Sequence, residues 1–139
     1  MRNFIDIEDI DSNQLKKIMA FSARLKAERI NISKGTKDFK KYLTNKVVAL
    51  LFKKPSTRTR FSFEVGIFQM GGQTLTVSSN EMQISNFESM SDTARVLSQY
   101  VDMVVLRTDN HSDLIDLINY SSIPIINGLS DKSHPCQVL

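Results

Sequence analysis

The chain predicts an α/β fold, a parallel sheet of about four strands flanked by helices on both faces. Three observations lead there. Four short apolar runs, Lys46 to Phe52, Gln73 to Val77, Met103 to Arg107 and Ile123 to Ile126, stand well apart along the sequence. Between them lie segments with helical spacing, the rhythm of parallel strands joined by helical crossovers. In the first run, Val47 to Phe52, and in Met103 to Leu106, apolar residues follow one another instead of alternating with polar ones, as strands covered on both faces require.

Asp11 or Ser12 caps a first helix that runs through about Ile30, with Leu15, Ile18, Met19, Ser22 and Leu25 as its inner face. A loop around Lys34 to Lys37, carrying Gly35, leads to the first strand. Pro55 breaks that strand's extension, and a second helix opens at Ser56 or Thr57. Its packed face is expected at Phe61, Val65 and Phe68, at spacings i, i+4 and i+7, with Phe63, Ile67 and Met70 widening it and Gly71-Gly72 ending it. Ser89 and Asp92, three residues apart, form a capping box for the helix after the second strand, and Ser112 to Tyr120 covers the third crossover. His134 before Pro135 is a natural start for a last helix, because proline suits the first turn.

With 139 residues, 41% hydrophobic and 24% charged, the chain suits one globular domain with its own core. The net charge of +3 comes partly from a basic N-terminal third, but its lysines and arginines are mixed with acids, and the few aromatics among them, Phe21, Phe39 and Tyr42, form no interleaved pattern for base stacking. A solvated face fits better than a nucleic-acid surface, so no nucleic-acid partner is expected. One cysteine excludes an intrachain disulfide. No apolar stretch has the length of a membrane span, and no signal peptide follows Met1-Arg2-Asn3, so the expectation is a cytoplasmic protein with no membrane partner.

The junction between the first strand and the second helix is the most informative place. Ser56-Thr57-Arg58-Thr59-Arg60 offers free amide N–H groups, hydroxyls and two guanidinium groups to one small volume at a helix start, which is an anion site suited to phosphate. The planar fork of Arg58 matches two phosphate oxygens. Ligands of open α/β sheets bind outside the carboxyl ends of the strands, and Arg107, closing the third run, falls on the same rim as Arg58. His134 to Gln137 follows the fourth run after a short loop. Taken alone, Arg107 reads as a strand-end charge in water, His134 as a capping histidine and His111 as a surface residue. Cys136 has no evident base beside it and reads as a small packed side chain. Most of Met19, Met70, Met82, Met90 and Met103 are expected to fill core or loop contacts.

Phe52 to Glu64, with Lys53-Lys54-Pro55-Ser56-Thr57-Arg58-Thr59-Arg60 at its heart, resembles the carbamoyl-phosphate motif of the aspartate/ornithine carbamoyltransferase family. Glu88 to Leu97 is similar to that family's second-helix signature, and Ile126 to Asp131 leading to His134-Pro135-Cys136-Gln137 resembles its ornithine branch. The likeness extends from Leu15 onward with the motifs in family order. It implies transfer of a carbamoyl group from carbamoyl phosphate to L-ornithine, giving L-citrulline and phosphate, with no metal and no organic cofactor. It further implies that Ser56, Thr57, Arg58, Thr59 and Arg107 bind the phosphate, that Arg58, Thr59 and His134 approach the carbonyl oxygen as catalytic groups, and that Gln137 orients the carbamoyl amide.

By the same resemblance Gln83 crosses a subunit interface to a neighbour's site in a homotrimer. Lysine, which aspartate enzymes use in that loop, is absent between Ser78 and Met90, and Cys136 also matches the ornithine branch. Ser85 in place of a glycine and Phe87 in place of a basic residue depart from the pattern. Residues 1–139 would form the carbamoyl-phosphate-binding domain, ending at the start of an interdomain helix. The acceptor-binding domain would be absent and the isolated chain not competent in catalysis. Aspartate carbamoyltransferase and a noncatalytic anion-binding or oligomerisation module remain as alternatives.

Overall fold

A computed structural model describes residues 3–78 and 89–139. The elements are α1 (Ser12–Glu28), β1 (Val47–Phe52), α2 (Arg58–Gln69), β2 (Gln73–Ser78), α3 (Met90–Tyr100), β3 (Met103–Arg107), α4 (His111–Tyr120), β4 (Ile125–Leu129) and α5 (Pro135–Val138). All strand pairs are parallel and the sheet order is β2-β1-β3-β4. The first strand is central, so Leu50 pairs with Thr76 on one side and Val105 on the other.

The sheet is covered on both faces, as its unbroken apolar runs require. On one face Ala49, Leu51, Val104, Leu106 and Ile125 pack with Met90 and Ala94 of α3 and Leu114 and Leu117 of α4. On the other, Val48, Leu50, Phe52 and Val105 pack with Ile67 of α2, and Phe63, Leu43 and Ile126 close around them. Alternate residues of β1 thus serve opposite layers.

Three expectations about elements change. α1 keeps its Asp11 cap, which accepts from the amides of Asn13 and Gln14, but contributes no residue to either layer. Its expected inner face is only half-buried at Leu15 and Leu25 and is exposed at Ile18, Met19 and Ser22, because α2, α3 and α4 already occupy the sheet. In α2 the stripe of Phe61, Val65 and Phe68 faces outward and the flanking one of Phe63 and Ile67 faces the sheet. β4 begins at Ile125, after Pro124, which has no N–H to give the ladder, and continues through Asn127 and Gly128 to Leu129.

Asn127 is fully buried without loss, since its amide nitrogen donates to Ile5 O and to Ser133, and its amide oxygen accepts from Leu129 N–H. The outer edge of β4 is occupied by the N-terminal segment: Phe4 bridges Ile126 in parallel, Phe4 N–H donates to Ile125 O, and Asn3 Oδ1 accepts from Ile125 N–H. Ser89 caps α3 by accepting from Asp92 N–H, while its hydroxyl donates to the Asp92 carboxylate. Gly71, at φ 88°, turns the chain out of α2. Among the described residues no helix is long and apolar enough to cross a membrane.

Candidate active site

Strand order reverses between β1 and β3, and the loops leaving the carboxyl ends of neighbouring strands part there to leave a crevice. A cavity of about 640 Å³ lies at that place. The β1–α2 loop and first turn of α2 supply Ser56, Thr57, Arg58 and Thr59; the end of β3 supplies Arg107; the start of α5 supplies His134, Cys136 and Gln137. Of the anticipated site residues within the described part, all but Arg60 line one cavity. Gln83, Ser85 and Phe87 lie outside the described residues.

No side chain caps α2, because the Thr57 hydroxyl makes no cap hydrogen bond, so the first-turn N–H groups beside the cavity have no acceptor from a cap. Arg58 has no ion-pair partner among the described residues. Arg60 does not join it: its Nε donates to Glu64 Oε1 at 2.9 Å, one helical turn on, and the same oxygen accepts from Thr76 Oγ1 at 2.6 Å. Burial of Glu64 works to raise its pKa, and the bonds from Thr76 and Arg60 outweigh that and hold it below the usual value. The second guanidinium of the cavity is therefore Arg107, not Arg60.

Arg107 is held loosely by its side chain. Nη1 donates to Thr59 Oγ1 at 3.3 Å, while Nε is buried with no partner. His134 occupies the N-cap position of α5 but makes no cap bond, and its Nδ1 is likewise buried and partnerless. Burial, and then the neighbouring Arg107 charge, push its pKa below the ordinary value, so the ring is neutral near pH 7. No carboxylate lines the cavity among the described residues. Two cations, a neutral imidazole, hydroxyls and orphaned donors converge without a counter-charge, and such a set is complementary to a small oxyanion.

Cys136 lines the same cavity as an inert group: its thiol donates to Asn127 O at 3.4 Å, and burial pushes its pKa up to about 11. His111 is not the free surface residue expected, since its Nδ1 lies 2.9 Å from Ser130 Oγ and its N–H donates to Asp131 Oδ1. It ties the start of α4 to the loop that carries His134. Sequence reasoning missed Ser62 and Leu129 in the lining. Ser62 stands one helical turn after Thr59 and donates to its carbonyl at 2.8 Å, so the i, i+3 spacing was the available signal.

The family described as aspartate/ornithine carbamoyltransferase, carbamoyl-P binding domain, matches residues 2–139. The chain belongs to that family. It is 47% identical over 139 residues to the ornithine carbamoyltransferase of Paracoccus denitrificans and 46% identical to that of Ruegeria pomeroyi, in each case over 100% of this chain and 45% of the relative. Among solved structures it resembles the anabolic ornithine carbamoyltransferase of Campylobacter jejuni (TM-score 0.89, 38% identity, 99% of this chain and 42% of that one). It also resembles the ornithine carbamoyltransferase of Pyrococcus furiosus (TM-score 0.88, 40% identity, 98% and 42%). The chain thus spans a little under half the length of these relatives. The carbamoyltransferase family makes a phosphorylated carbamoyl group the ligand to weigh against the cavity.

Proposed function

We propose that this chain is the carbamoyl-phosphate-binding half of an ornithine carbamoyltransferase, which joins carbamoyl phosphate and L-ornithine to give L-citrulline and phosphate. The observation that supports it best is the cavity itself, with Arg58, Arg107 and His134 converging around unpaired donors and no carboxylate. The ornithine carbamoyltransferases among its relatives favour ornithine over aspartate as acceptor.

In this reading Ser56, Thr57, Arg58, Thr59 and Arg107 hold the phosphate, with the first-turn amides of α2 and its dipole adding to their charge. Arg58, Thr59 and His134 face the carbonyl oxygen. The acceptor amine attacks the carbonyl carbon, the oxyanion of the tetrahedral intermediate takes up their hydrogen bonds, and phosphate departs with the electron pair of the broken C–O bond and takes up the proton that the amine loses. Neutral His134 suits this role, since it donates a hydrogen bond without competing with the arginines for the phosphate. Gln137 fixes the carbamoyl amide, and alignment of the two reactants would supply roughly 7 to 11 kcal/mol at most. The proposed setting is the cytoplasm, in arginine metabolism. The assembly is a homotrimer in which Gln83 reaches a neighbour's site.

The test is the melting temperature of the chain with carbamoyl phosphate, against inorganic phosphate and against Arg58→Ala. At ligand a hundredfold above Kd the folded state gains ~2.7 kcal/mol, which lifts the melting point of a domain this size by roughly 10 °C. The rise should exceed that with phosphate and be lost in Arg58→Ala, where charge-assisted bonds of about 1.5 to 3 kcal/mol are missing. A cooperative melt that ignores carbamoyl phosphate favours a noncatalytic module. Ornithine should find no complete site on these residues alone, and citrulline formed by the purified chain refutes that part.

A further inference from the structure

Neither lysine of the β1–α2 loop turns to the cavity. Lys54 Nζ lies 2.5 Å from Asp109 Oδ1 in a pair open to water, which contributes little. Lys53 differs. Its Nζ donates to Asp113 Oδ2 at 2.7 Å, with the two side chains only 29% and 15% exposed. The same Asp113 oxygen accepts from the hydroxyl of Thr108, a buried residue, at 2.5 Å. Thr108 directly follows Arg107, and the Arg107 carbonyl accepts from Lys53 N–H at 2.9 Å. One carboxylate on α4 therefore grips two residues joined to the main chain of Arg107, Lys53 through its N–H and Thr108 as the next residue.

We propose that Asp113 is a positioning residue of the anion site, holding Arg107 through Lys53 and Thr108 so that its guanidinium meets the phosphate. Arg107 needs such a brace. Its side chain has one long bond to Thr59, while its main chain pairs with Phe52 of β1 and, past a register shift after Leu106, with Leu129 of β4. Asp113 is not required as a helix cap, because the Asn110 side chain already accepts from Ser112 N–H at the start of α4. Its carboxylate also keeps the Lys53 charge out of the cavity, leaving the anion to Arg58 and Arg107.

The proposal rests on the reading of the cavity as a carbamoyl-phosphate site, and the experiment separates the two. Calorimetric titration of the chain and of Asp113→Asn with inorganic phosphate and carbamoyl phosphate should show both ligands bound about tenfold more weakly by the variant, the low end of what orienting partners contribute at metal sites. The loss should largely vanish in an Arg107→Lys background and persist in an Arg58→Lys background, because only the first pair shares a mechanism. A lowered melting point with unchanged affinities, or full additivity with Arg107→Lys, overturns the proposal. If Asp113→Asn does not fold, Lys53→Met and Thr108→Val each remove one of the two donors and are judged by the same criteria. Wild type that binds neither ligand overturns the reading of the site and this proposal with it, whereas equal binding by wild type and variant overturns this proposal alone.

Discussion

His134 makes the clearest statement about pH. Burial, with Arg107 second, lowers its pKa below the ordinary value of 6.5, so the unfolded chain takes up the proton more readily than the folded one. Stability from this residue is intact above pH 6.5 and is lost as the pH falls below it. The carboxylates with lowered pKa, Asp6, Glu64 and Asp102, act in a more acid window, below their ordinary values of 3.8 to 4.5. Chemical denaturation at steps from pH 7.5 to 5 should therefore show a decline that His134→Gln flattens; an identical decline in the variant assigns it elsewhere. Bound phosphate should hold the ring's proton and shift the decline. Residue by residue, the cavity was legible where a short motif fixes its own geometry, as at Ser56 to Thr59, and where a strand end names its rim, as at Arg107. It was not legible at Arg60, whose Glu64 partner lies one turn away and takes the charge out of the cavity. That spacing is visible in the sequence, but the Thr76 bond that seats Glu64 comes from another strand.

Among the elements, α2 carries two apolar stripes, and periodicity alone does not say which one meets the sheet. Tertiary position decides it: Phe63 and Ile67 face Leu50 and Phe52, and Phe61, Val65 and Phe68 are left 56%, 42% and 42% exposed. Exposed large side chains in one row mark a contact surface, and the homotrimer proposed above predicts that copies of the chain meet there. Sedimentation at high concentration should give more than the monomer mass. Phe61→Ser with Val65→Ser should bring it back to monomer while changing the folding stability of the monomer by within about 0.5 kcal/mol, as expected of surface positions. A mass unaffected by the pair moves the interface elsewhere. By contrast Ile67→Ala, on the inward stripe, should destabilise by about 2 to 4 kcal/mol in a denaturant melt. β4 was misplaced at its start because Ile123 looks like strand residue but Pro124 follows it. It was misplaced at its end because Asn127 and Gly128 look like a turn. Only contacts from Ile5 and Ser133 make a buried asparagine acceptable there.

At the scale of the molecule, sheet order places the site: β1 sends one neighbour to each side, and the cavity opens where they part. This much followed from four apolar runs and the crossover rule, since parallel strands leave few ways to be joined. The role of the N-terminal segment did not follow, because residues 3–5 show no strand pattern and gain their place only by what they cover. Asn3 and Ile125 are 122 positions apart, so joining them closes nearly the whole chain into a loop, at an entropic cost of about 4 kcal/mol. Contacts of such separation form after local ones. Residues 3–5 thus find their partners only once β4 has docked on β3. Until that moment the outer edge of β4 offers open N–H and C=O groups to any passing strand, and mispairing there is the hazard the N-terminal segment removes.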